Sequence, residues 1–189
     1  MERGLETPRT FPFRLVLTDS TTIQEPGSAG TTWCLHAPWN LAEKRWEGLT
    51  LTDRHGGESL TRLPWRRHDV VLSDRTYAKA SALAWIVDQQ AHVIARFGWN
   101  ALRWETLEGD PWDVLEAVRT LTDTTPGQWW VQIRPRQSPP LRLRVVAIRK
   151  SPEAAAASRR QARQTARRHG HTVSAKTLDA ADYVLIVTP

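Results

Sequence analysis

The 189-residue chain carries a single cysteine, Cys34, and a single methionine. A lone cysteine excludes an internal disulfide and any zinc site made of four thiolates. Long apolar runs are missing as well: no stretch approaches the roughly 18 residues a membrane helix needs. The opening MERGLETPRTFPFRL has no charged segment followed by an apolar one, so no secretory signal is expected. Together these absences lead us to expect a reducing, cytoplasmic setting and no membrane partner. Catalytic motifs are scarce too. There is no G-x-S-x-G elbow, GSAG and HGGES lack the lysine of a phosphate loop, and the six histidines show no H-x-x-x-H spacing. Tyrosine and phenylalanine are few, two and three, against ten tryptophans.

What is present is basic charge, unevenly placed. Arg134–His171 holds eleven Lys and Arg against one acid, Glu153, a net +10. The rest of the chain, with 15 basic and 19 acidic residues, is −4. A basic segment beside an acidic body fits a polyanion bound along one side, although such a stretch also serves as an ordinary solvated face.

Periodicity orders the chain. Arg14–Asp19, Thr31–Asn40 and Glu47–Asp53 read as strands with short, Pro- and Gly-containing links. Glu58–Leu63 starts a short helix that Pro64 stops, and His68–Asp74 is another strand closed by aspartate. Lys79–Gln90 sets Leu83, Ile86, Val87 and Gln90 on one helical stripe, and His92–Phe97 is a strand. Three early strands followed by strand–helix–strand crossovers predict an α/β fold with a mixed sheet, antiparallel first and parallel after. Beyond Phe97 the pattern changes. Asp110 caps a helix with Pro111 in its first turn, and two strands, GQWWVQIRP and LRLRVVAIRK, make residues 99–150 a mainly-β insert. Ser151–Gly170 is a surface helix whose apolar residues are all alanines, with Arg160, Arg163 and Arg167 along one side. Asp182–Pro189 is a last strand.

Asp19 and Asp74 each follow a short apolar strand. On parallel neighbours both carboxylates would emerge at one sheet edge, where they repel unless a cation lies between them. Mg²⁺ favours such oxygen ligands, and a metal pair there activates a water or a 3′-hydroxyl in phosphoryl transfer. An aspartate after a strand is also a common turn former or helix cap. Cys34 alternates within its strand and reads as core.

The succession LVLTDST, WCLH, GES-L, DVVLSDRTYAKASAL, VIARF-WNAL, the basic helix and TVSAKTLDAADYVLIVT resembles DDE-type insertion-sequence transposases of the cut-and-paste group. The resemblance runs from Leu15 to Thr188. It implies a ribonuclease-H-like core with a β-rich insert: core 1–98, insert 99–150, and basic helix with last core strand 151–189. It also implies Mg²⁺ (or Mn²⁺), DNA ends and target as partners, and a homodimer on DNA. Asp19 and Asp74 would be the first two catalytic carboxylates, with Arg75 and Tyr77 completing a D-R-x-Y element beside them. Arg75, Tyr77, Arg142, Arg144, Arg160, Arg163, Arg167 and Trp130 would contact DNA. The resemblance places a third carboxylate, a glutamate, on a helix after the last core strand. The sequence stops at Pro189, so a catalytically incomplete fragment is expected.

Two other readings stand beside this one. A ribonuclease-H-type nuclease would add Glu58 to the two aspartates; the competing role for Glu58 is a residue in a helix first turn. A non-catalytic nucleic-acid-binding module would use the arginines, with Trp129 and Trp130 stacking on a splayed base. The competing role for these tryptophans is packing inside the insert.

Overall fold

The computed structural model describes residues 13–53 and 55–189. The segment 1–12, on which the missing-signal reading mostly rests, lies outside the described residues. No helix among the described residues is long and apolar enough to cross a membrane.

Nine strands form one mixed sheet. They are β1 (Leu15–Ile23), β2 (Trp33–Asn40), β3 (Arg45–Trp46), β4 (Thr50–Asp53), β5 (Val70–Ser73), β6 (His92–Arg96), β7 (Gly127–Ile133), β8 (Leu141–Arg149) and β9 (Tyr183–Thr188). Their order is β3-β2-β1-β5-β6-β9-β8-β7, with β4 also paired to β2. β1, β2, β3 and β4 pair antiparallel, whereas β1, β5 and β6 run parallel, in line with the expectation of an antiparallel opening followed by parallel units. β9 returns antiparallel between β6 and β8. Both strands of the stretch expected as an insert, β7 and β8, continue this same sheet through β9 rather than forming one of their own.

Alternation decides which face is covered. Val16, Val71, Val93, Ala95, Val145 and Val187 are buried on one side. Onto that side pack Leu60 of the 3-10 turn Leu60–Arg62 and Leu83 and Ile86 of helix α1 (Ala80–Asp88). Val114, Leu115 and Val118 of helix α2 (Val114–Arg119) join the same core. Each fully buried aliphatic side chain contributes about 1.5–3 kcal/mol. On the opposite side Leu17 and Ile94 stay more than a third exposed.

Helix α2 starts three residues later than the sequence suggested. Asp113, not Asp110, is its cap, accepting from the Leu115 N–H at 2.7 Å. Pro111 instead bridges Glu105, and the Trp112 N–H donates to the Trp104 carbonyl. This extended ladder outcompetes a helix start at that point. Helix α3 (Pro152–Arg168) matches expectation: Ser151 caps it, Gly170 follows it at φ 70°, and Ala155 is its one buried residue. Helix α4 (Ala175–Ala180) was not foreseen; it is short and has no fully buried residue, only Ala180 packing partly against the core.

An ion-pair cluster fixes the far end of the central strands. Arg14 donates through Nε to Asp69 at 2.8 Å and pairs again through both terminal nitrogens, with Asp69 and with Glu47. Asp69 is 1% exposed and also accepts from the Arg66 N–H at 2.7 Å. Arg14 and Asp69 immediately precede the paired residues Leu15 and Val70. The pair therefore sits where the β1–β5 register is set.

Candidate active site

Register brings the two aspartates together. β1 and β5 pair in parallel with Leu17 opposite Leu72. Asp19 and Asp74 each lie two residues farther on, in extended backbone. Side chains two apart share a face, and neighbouring strands lie about 4.8 Å apart, so both carboxylates leave the same face of the sheet, beside the carboxyl end of β5. Asp19 does not close its strand as the sequence suggested: β1 runs on to Ile23, held by its antiparallel pairing with β2. Both residues are exposed.

Each carboxylate accepts from a neighbouring backbone N–H through one oxygen only. Asp19 Oδ1 accepts from the Ser20 N–H at 2.8 Å. Asp74 Oδ1 accepts from the Thr76 N–H at 2.9 Å and the Thr76 hydroxyl at 2.7 Å, capping the 3-10 turn Arg75–Tyr77. The capping role open to Asp74 from sequence is thus real, and it leaves Oδ2 free. Neither Oδ2 has a hydrogen bond among the described residues.

Glu58 does not sit in a helix first turn. It precedes the cap, Ser59, and accepts from the Ser20 hydroxyl, next along the chain from Asp19. Its backbone carbonyl accepts from Lys79 Nζ at 2.8 Å. Even so, no group of three or more His, Cys, Asp or Glu poised to hold a metal ion occurs among the described residues. Tyr77 is 1% exposed, so its ring packs in the core and has no surface to offer a strand, contrary to its expected place as a DNA contact. Burial pushes its phenol pKa up, and the charges of Glu58 and Asp19 push the same way.

No family model matches the chain. It is 30% identical over 98% of its length to the transposase for insertion sequence element IS421 from Escherichia coli. The same identity and coverage relate it to InsL, named as a transposase for elements IS186A and IS186B of Escherichia coli K12. The chain is homologous to insertion-sequence transposases. It spans about half, 52%, of the length of these curated relatives.

For a chain with transposase relatives, the placement of its basic and aromatic residues matters next. Arg160, Arg163 and Arg167 are all exposed on α3, as their spacing predicted. Trp129 and Trp130 face opposite ways. Trp129 is partly buried against the core, its ring 6.1 Å from that of Trp112. Trp130 is 48% exposed on the other side, with Arg142 at 4.6 Å and Arg144 at 5.9 Å over its ring. Packing against the core therefore explains Trp129 and not Trp130.

Sequence reasoning missed Arg96 and Lys150. Arg96 ends β6, and Lys150 follows β8. With Arg75 they border one cavity beside the aspartate edge. Burial lowers the pKa of Arg75, and Arg96 lowers it further while Asp74 opposes. Burial likewise lowers Lys150, with Arg75 and Arg96 adding to the shift.

Proposed function

We propose that this chain is the catalytic-core portion of a DDE-type transposase, acting on DNA through divalent metal held by Asp19 and Asp74. The observation that carries this reading is the parallel β1–β5 register, which levels the two aspartates on adjacent strands. The strand order around them supports a ribonuclease-H-like core: antiparallel strands on one side of β1, parallel β5 and β6 on the other. The partner is DNA, as transposon ends and target, bound by a homodimer.

The donor set fits the metal. Two exposed carboxylates on neighbouring strands repel, and each keeps one oxygen free of hydrogen bonds. Hard oxygen donors of this kind suit Mg²⁺ or Mn²⁺. Bound there, such ions supply activation of a water or 3′-hydroxyl and stabilisation of the leaving oxygen. The chain's own residues do the positioning. The Ser20 and Thr76 N–H groups aim each carboxylate outward. Buried Tyr77 seats the Asp74 turn on the core. Arg75, next to Asp74, offers a cation to a scissile phosphate.

Titration with Mn²⁺, read by electron paramagnetic resonance, tests the assignment. Asp19→Asn and Asp74→Asn should each weaken binding at least tenfold. Wild-type affinity in both variants would overturn it.

A non-cleaving nucleic-acid-binding role has one observation in its favour: exposed Trp130 between Arg142 and Arg144. Aromatic stacking contributes about 1–3 kcal/mol per base.

A further inference from the structure

The carboxyl ends of β5 and β6 open into a cavity of about 750 Å³, roofed by α3 and α4 and floored by Phe97, Tyr183 and Leu185. Three cations border it: Arg75 just after β5, Arg96 at the end of β6, and Lys150 just after β8. No Asp or Glu lines it among the described residues. Among the described residues, the guanidinium groups of Arg75 and Arg96 make no hydrogen bond or ion pair. Lys150 is held only by neutral acceptors, Ser158 Oγ at 2.9 Å and the Ala181 carbonyl at 2.7 Å.

Clefts seldom gather like charges without a full counter-charge, because the cations repel one another; here Arg75 and Arg96 stay exposed at the rim and Lys150 is half-buried. Elsewhere in this chain arginines do find acids: Arg14 with Asp69, Arg119 with Asp179, Arg134 with Glu105 and Arg159 with Asp182. Asp74 beside Arg75 and Asp182 near Lys150 offset the repulsion only in part, and Asp182 is already paired with Arg159. An anion entering between the three cations would relieve the repulsion and replace lost hydration with charge-assisted hydrogen bonds.

We infer that the Arg75–Arg96–Lys150 cavity seats a backbone phosphate of the bound DNA strand beside the Asp19/Asp74 edge. The inference rests on the DNA reading above and adds to Arg75 two residues, Arg96 and Lys150, that no sequence motif marked. Its geometry is specific. Asp74 and Arg75 are consecutive, so a strand whose phosphate lies in this cavity is held next to the metal-binding carboxylates. The cavity is thus a positioning device for the DNA, distinct from the outward arginines of α3.

The test uses the full chain in EDTA, which separates it from any metal binding at the aspartates. The first probe is a fluorescein-labelled 20-nucleotide DNA, followed by anisotropy from low to moderate salt. Arg96→Gln should weaken binding about tenfold and lower the salt slope by about one. Arg163→Gln, on the exposed side of α3, should have a clearly smaller effect at equal charge change. The second probe is inorganic phosphate. It should raise the melting temperature of the wild type above that in chloride of equal ionic strength, and the rise should vanish in Arg96→Gln. Without phosphate, Arg96→Gln should melt no lower than wild type, since the substitution removes repulsion. Equal DNA binding by wild type and Arg96→Gln, or equal losses in Arg96→Gln and Arg163→Gln, would overturn the inference, as would a wild type that binds neither probe. Loss in Arg96→Gln alongside unaltered Mn²⁺ affinity in the aspartate variants would sink the catalytic reading and leave the cavity standing.

Discussion

Asp69→Ala is the sharpest test of how the fold positions the site. Asp69 is buried, accepts two bonds from Arg14 and one from the Arg66 N–H, and lies five residues upstream of Asp74. Removing one partner of a buried, hydrogen-bonded ion pair costs about 3–5 kcal/mol. Here Glu47 remains to pair with Arg14, which lowers the loss. The orphaned Arg66 N–H adds about 1–3 kcal/mol. A net destabilisation of about 3 kcal/mol follows. In urea, with a slope of about 2 kcal/mol/M for a chain of this size, the midpoint should fall by about 1.5 M at constant slope. Tryptophan fluorescence would follow the transition. The combined substitution Arg14→Met, Asp69→Leu and Glu47→Gln should recover part of the loss, because it removes both acids that Arg14 pairs with along with the arginine itself. A midpoint shift below about 0.3 M in Asp69→Ala would refute the claim that this cluster holds the β1–β5 register.

Two further outcomes are expected. His36 is buried on β2, its Nε2 3.0 Å from the Thr52 hydroxyl and its Nδ1 without a hydrogen-bond partner among the described residues, and burial lowers its pKa. The unfolded chain then binds the proton more readily than the folded one, so stability is full above about pH 6.5 and declines as pH falls below it. Denaturation midpoints should decline less over that range in His36→Gln, and parallel declines would remove His36 as a cause. Single-stranded DNA should quench the fluorescence of Trp130, and Trp130→Ala should abolish the quenching while Trp129→Phe retains it; undiminished quenching in Trp130→Ala would exclude stacking there.

Much of the site's frame was legible in the sequence. Short apolar runs before Asp19 and Asp74 mark β1 and β5; Asp74 closes its strand with a capped turn, whereas β1 continues through Asp19 to Ile23 because β2 pairs with it there. The α3 boundaries were legible from Ser151, Pro152 and Gly170. The cap at Asp110 was misplaced because two aspartates three apart compete, and only the tertiary ladder through Glu105 and Trp112 decides for Asp113. Helix α4 has no apolar stripe to betray it. Trp130 was readable in principle: strand alternation that sends Trp129, Val131 and Ile133 inward must send Trp130 out. The Arg75–Arg96–Lys150 cavity was not, since its cations lie on segments far apart in the chain and meet only through the sheet order.

That order has a consequence at the ribosome. β6 finds one neighbour, β5, just upstream, but its other neighbour is β9, and Ala95 waits for Val187. At about 5–20 residues per second, roughly 5–18 s pass between synthesis of the two strands. Throughout that interval a nascent β6 presents free amides and carbonyls along one side, a template for pairing with another chain. Long-range pairing of this kind also slows folding from the unfolded state. Rapid expression should therefore divert the protein into aggregates through β6 before any chemistry at the aspartate edge can begin.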